Sequence, residues 1–157
     1  MISTLLFDFA RVLIYPKDKS CKGKLNDLYR NLMRGKTFQF FEHFEFNEEL
    51  LLYLHTIKNQ YGLYMFTSGI IQNVTGVRGK LDKVFKKIYS AEELNLNKKD
   101  PQSYLFIAKD LNKNPGEILF TDDQLEFINA AENAKLVTIH FQSNKQFINE
   151  LSKIMVI

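Results

Sequence analysis

Five short apolar runs punctuate the chain at wide intervals, over residues 4–9, 63–66, 87–89, 118–121 and 136–140. Runs of this length, rich in aromatic and β-branched side chains, predict buried strands. Between them, apolar residues recur at spacings of three and four. Leu50, Leu51, Leu54 and Ile57 form one such stripe, with Asn47 placed to cap its start and Gly62 near its end. Tyr104, Leu105, Ala108 and Leu111 form another behind Pro101, a residue suited to a helix's first turn. Segments 125–134 and 145–154 complete the set of predicted helices. Strand alternating with helix predicts an α/β fold, a mainly parallel sheet with helices on both faces.

One stretch breaks the alternation. Roughly 35 residues separate the first strand from the helix after Asn47, far more than an ordinary connection. Leu25, Leu28, Tyr29, Leu32 and Met33 have helical spacing there, and residues 38–46 hold five Phe. Residues 14–46 are read as a small cap inserted over one edge of the sheet, within a single domain covering 1–157. The same Phe residues can alternatively complete the core or form a dimer interface, where aromatic side chains are enriched.

Composition narrows the class. At 157 residues, with 14 Phe and 7 Tyr, the chain can bury a proper core and is not of the disordered type. A single cysteine, Cys21, has no partner for an internal disulfide, and no apolar run approaches the roughly 20 residues that span a bilayer. A soluble cytoplasmic protein without a membrane partner, monomer or homodimer, is the expectation. Net charge is only +3, but Arg11, Lys17, Lys19, Lys22 and Lys24 gather early, against Asp18 and Asp27. Such a cluster suits an anionic small molecule, or is simply a solvated loop. No DNA- or RNA-binding motif supports nucleic acid as the partner.

Polar residues at strand ends carry the candidate chemistry. Asp8 closes the first apolar run, Thr67-Ser68-Gly69 the second, and Asp122-Asp123 the fourth, while Lys98 stands just before Pro101. In a parallel sheet these carboxyl ends share one side, where ligands of open α/β sheets bind. A buried carboxylate is costly unless paired, so its position calls for a reason. Asp8 suits attack on a phosphoryl group, the hydroxyl and ammonium suit its oxygens, and a divalent cation would offset repulsion among the carboxylates. Taken singly, Thr67, Ser68, Asp122 and Asp123 also read as ordinary turn or cap residues.

In order and spacing these segments resemble the four motifs of the haloacid dehalogenase (HAD)-like hydrolase superfamily. The first, an apolar strand ending Asp-x-Asp-Gly-Thr/Val-Leu, stands here as Asp8-Phe9-Ala10-Arg11-Val12-Leu13. The second matches Phe66-Thr67-Ser68-Gly69. The third, Lys-Pro-Asp-Pro, keeps three of four residues in Lys98-Lys99-Asp100-Pro101. The fourth matches Phe120-Thr121-Asp122-Asp123. The resemblance implies a three-layer Rossmannoid fold and a phosphatase that works through an aspartyl-phosphate on a small phosphorylated molecule. It further implies Asp8 as nucleophile, Thr67, Ser68 and Lys98 on the phosphate, and Mg2+ held by Asp8, the Ala10 carbonyl, Asp122 and Asp123.

Two positions depart from that pattern. The family's second aspartate is the general acid and base, and Ala10 can do neither. Arg11 replaces a glycine that permits positive φ, so either the turn differs or Arg11 takes an ordinary conformation and reaches towards the crevice. Three readings follow: a magnesium-dependent phosphatase with weakened acid–base catalysis; a catalytically inactive module binding a phosphorylated ligand or protein; or a phosphonatase- or dehalogenase-like hydrolase. The phosphonate-cleaving branch also has alanine there but uses a cap lysine, for which Lys22 and Lys24 are the available residues.

Overall fold

The computed structural model describes residues 1–35 and 37–155. Five parallel strands form its centre: β1 (Thr4–Phe7), β4 (Gly62–Thr67), β5 (Lys87–Ser90), β6 (Ile118–Asp122) and β7 (Val137–His140), in the order β5-β4-β1-β6-β7. The longest-range pairings lie in the middle, where β1 takes β4 on one side and β6 on the other. Its side chains alternate between two cores. Leu5 and Phe7 join one with helices α3 (Glu48–Ile57), α4 (Thr75–Leu81) and α8 (Asn144–Met155). Leu6 joins the other with α6 (Pro101–Asp110) and α7 (Leu125–Asn133). Burial on both faces explains why β1 reads as a continuous apolar run.

The predicted strands and helices form, with small shifts at their ends. Asn47 caps α3 by accepting the Leu50 N–H (3.2 Å), and Asp100 caps α6 through Gln102 N–H (2.9 Å). One inward face is corrected: on α6 the buried residues are Ser103, Tyr104, Ile107 and Ala108, while Leu105 turns outward. Two short helices follow strands without having been predicted, α4 and α5 (Ala91–Leu94).

The 14–46 segment has its own architecture. A short antiparallel ribbon, β2 (Ile14–Pro16) with β3 (Phe44–Phe46), forms its stem, and α1 (Leu25–Met33) and α2 (Phe40–His43) lie between the two strands. The Phe run is divided. Phe40 and Phe44 are buried and stacked (4.6 Å between centroids), whereas Phe41 is exposed with its ring edge over Gly76 of α4.

Candidate active site

The first site residue is placed by the sheet itself. Directly after β1, the Asp8 N–H donates to the Thr121 carbonyl (2.9 Å), which continues the β1–β6 ladder and brings Asp8 beside the end of β6. There Asp122 is the last strand residue, completely buried, with Oδ1 accepting the Gln124 N–H (2.8 Å). Lys98 enters between them: its Nζ donates to Asp8 Oδ1 and to Asp122 Oδ2, each at 2.6 Å. It is 3% exposed and Asp8 4%.

Lys98 comes from a loop, yet it is held firmly. Tyr104 Oη donates to its carbonyl (2.8 Å), and the Asn97 N–H donates to Ser103 Oγ (3.0 Å), so the first turns of α6 grip the residues just before it. The ammonium lies 4.8 Å from the centre of the Phe127 ring and 5.5 and 5.6 Å from those of Phe66 and Phe120. These rings exclude water and offer their negative faces to the charge. Burial alone would lower the Lys98 pKa, but Asp122 and Asp8 together outweigh it and raise it.

Asp8 responds in the opposite sense. Burial, then repulsion from Asp122, pushes its carboxyl up to about 7, against the pull of Lys98. Asp123, half-buried, is also raised, by burial and then by Asp122. One oxygen from each of Asp8, Asp122 and Asp123 fits within 4.8 Å of the others. With all three ionised and one ammonium present, the cluster carries two excess negative charges. A divalent cation with oxygen ligands would neutralise that excess, and the donor set is of the hard type that magnesium takes.

A cavity of about 450 Å³ opens above the cluster, a size suited to a small molecule. Asp8, Ala10, Asp123 and Ser68 line it; Thr67 and Lys98 are buried and, with Asp122, do not. Its opposite wall comes from the 14–46 segment. Asn26 of α1 packs so closely on Gly69 that a Cβ there would sit 2.4 Å from Asn26 Oδ1. Arg30 of α1 pairs with Glu92 of α5 (2.6 Å).

Arg11 lines the cavity, but it does not take the ordinary conformation considered from the sequence. It keeps the left-handed conformation, φ 60°, in which a side chain is strained. Its guanidinium donates to the carbonyls of Cys21 (2.9 Å) and Gly23 (2.8 Å). Tyr15, on β2, has its phenol pushed up to about 12 by burial and then by Asp123, against Arg11. His140 Nε2 lies 2.9 Å from the Asp123 carbonyl oxygen. Nothing in the local sequence marked Tyr104, Asn26, Tyr15 or His140 for this site: Tyr104 reaches back within its own helix start to Lys98, and the other three act through contacts distant in the chain.

Sequence and structure comparisons agree on the relatives. A family model described as haloacid dehalogenase-like hydrolase matches residues 8–141. A HAD family enzyme from Bacteroides thetaiotaomicron, solved in complex with magnesium and inorganic phosphate, is similar at 18% identity and a TM-score of 0.68, over 92% of this chain and 96% of that one. A predicted HAD-like family hydrolase from Porphyromonas gingivalis is similar at 18% identity and a TM-score of 0.69, over 99% and 98%. A HAD-superfamily hydrolase of subfamily IA from Geobacter sulfurreducens shows 17% identity and a TM-score of 0.65, over 88% of each chain. At such identities the likeness concerns the fold. No curated protein matches the chain.

Proposed function

The chain belongs to the haloacid dehalogenase-like hydrolase family, and from that premise we propose that it is a magnesium-dependent phosphatase with weakened acid–base catalysis. The observation that carries this reading is the buried Asp8–Lys98–Asp122 cluster at the floor of the cavity. Asp8 is the nucleophile: a carboxylate oxygen attacks phosphorus, the bond to the leaving oxygen breaks, and an aspartyl-phosphate remains. Lys98 favours the ionised form of Asp8, and its ammonium, with the Thr67 and Ser68 hydroxyls, would stabilise the phosphoryl oxygens. Asp8, Asp122 and Asp123, with the Ala10 carbonyl, would hold a magnesium ion, whose charge would stabilise the phosphoryl oxygens.

Ala10 sets the limit of this chemistry. It lines the cavity beside Asp8 without any group to protonate a leaving oxygen or to activate water. General acid–base catalysis contributes about 10²–10⁴-fold, so esters with acidic leaving groups, such as aryl phosphates, and acyl phosphates are the substrates least affected. The same residue supports a second reading, a module that binds a phosphorylated ligand or protein without turning it over. Turnover of an aryl phosphate with an acidic phenol, with and without Mg2+, separates them. The enzyme reading expects metal-dependent release of phenol that Asp8→Asn abolishes. A well-folded wild type that binds inorganic phosphate but releases none favours the module.

A further inference from the structure

Arg11 pins two alternate carbonyls of one loop, those of Cys21 and Gly23, and keeps a left-handed backbone to do so. A non-glycine residue holds such a conformation when its surroundings over-determine it. What the pinned loop carries is Lys22 and Lys24, both on the wall of the cavity above Asp8. The other cations on that wall are committed. Arg11 holds the loop, Arg30 pairs with Glu92 (2.6 Å) and Lys99 with Glu126 (3.1 Å). Lys22 donates only to the Lys19 carbonyl (3.2 Å), and Lys24 has no ion-pair partner among the described residues. Of the carboxylates lining the cavity, Asp8 and Asp123 belong to the cluster below and Glu92 and Glu126 are paired, which leaves Asp27 to set against these two ammonium groups.

We propose that residues 21–24, braced by Arg11, form an anion-recognition arm for the end of the substrate remote from Asp8, so that the natural substrate is a phosphate ester whose leaving group carries a second negative charge, a carboxylate or a further phosphate. This rests on the phosphatase reading of the floor and adds the chemistry of the roof. Arg11 is here a positioning residue: it touches the loop, and the loop touches the substrate.

Two inert phosphonates test the arm without turnover. Benzylphosphonate and 4-carboxybenzylphosphonate are titrated calorimetrically into the wild type with Mg2+ present. The carboxylated analogue should bind about fivefold more tightly, as for a well-placed exposed ion pair. That ratio should fall to about one in the Lys22→Ser, Lys24→Ser double variant and persist in Lys109→Ser, a control on the far helix α6. Arg11→Gly should lower the ratio and speed amide exchange over 18–24, and Arg11→Lys should restore part of both. Equal binding of the two analogues by the wild type, or a ratio that survives the double variant, overturns the anion arm and leaves the phosphatase reading standing. An Arg11→Gly variant with unchanged ratio and exchange overturns the bracing role. Failure of both analogues to bind overturns the phosphatase reading and the arm with it.

Discussion

The cavity has a floor and a roof built on different physics. On the floor, Asp8, Lys98 and Asp122 are almost fully buried, and each is placed by a strand or by the grip of α6. On the roof, charges meet in the open: the side chains of Arg30 and Glu92 are 49% and 44% exposed. Buried ions are expensive to desolvate and are tolerated only when tightly paired, so removing one partner has a large effect. Exposed pairs are screened and individually weak. The floor can therefore hold one fixed chemistry, while the roof can be altered residue by residue at little cost to folding.

The largest effect that would test this contrast is Lys98→Met. It keeps the aliphatic stem among the aromatic rings but leaves Asp8 and Asp122 facing each other. We expect a loss of about 3 kcal/mol by urea denaturation without metal, in the range for breaking a buried pair. Mg2+ should restore part of it. Lys19→Met, which breaks the exposed pair with Glu45 (2.6 Å), should cost less than about 1 kcal/mol. Equal costs for the two would abolish the distinction.

Catalysis gives the next largest effect. Ala10→Asp should raise turnover about a hundredfold, with single-turnover phosphorylation improving more for alkyl than for aryl esters, because only the former need a proton on the leaving oxygen. Efficient hydrolysis of alkyl phosphates by the wild type would mean that another group on the wall already supplies it.

Acidity probes the floor directly. The folded Asp8 pKa of about 7 lies above its ordinary value of 3.8. Between those limits the folded state holds the proton more tightly than the unfolded state does. Raising the pH through that window should therefore destabilise the metal-free protein, by at most ~1.4 kcal/mol per pH unit. The penalty is absent below the window and complete above it. Magnesium competes with that proton, so its affinity should rise towards neutral pH. Thermal denaturation from pH 5 to 8, with and without Mg2+, checks both signs. A metal-free protein that gains stability across the window would contradict the raised Asp8.

The same division explains what could be read from the sequence. Residues 8, 122 and 123 were legible as a group because a parallel sheet delivers strand ends to one edge whatever their separation in the chain, and Lys98 joined them because it stands just before the helix opened by Pro101. The cap at Asn47 and the first turn at Pro101 were legible because each acts within a few residues. Helix α4 was not, since Gly76 and Gly79 disfavour helix and only Val77 and Leu81 give it a buried face. Arg11 defeated the reading for another reason: its strained backbone is compensated by carbonyls 10 and 12 positions away. Asn26 on Gly69 and Arg30 on Glu92 depend on how α1 docks, which no local pattern encodes.

The smallest effect is the most specific to the roof. Arg30 and Glu92 are 62 positions apart, and their contact joins α1 to the helix that follows β5. A double-mutant cycle with Arg30→Ala and Glu92→Ala should give a coupling of only about 0.5 kcal/mol in global stability, since both groups remain largely solvated. Local opening should be more sensitive than global unfolding, because α1 rests on few elements besides Gly69 and its own ribbon. Amide exchange over 25–33 should therefore accelerate in either single variant, while exchange in β1 and β6 stays unchanged. The two effects should not add in the double variant, as the second substitution removes a partner already lost. Slowed exchange, or equal acceleration in β1, would show that the pair supports the whole fold and not the roof alone.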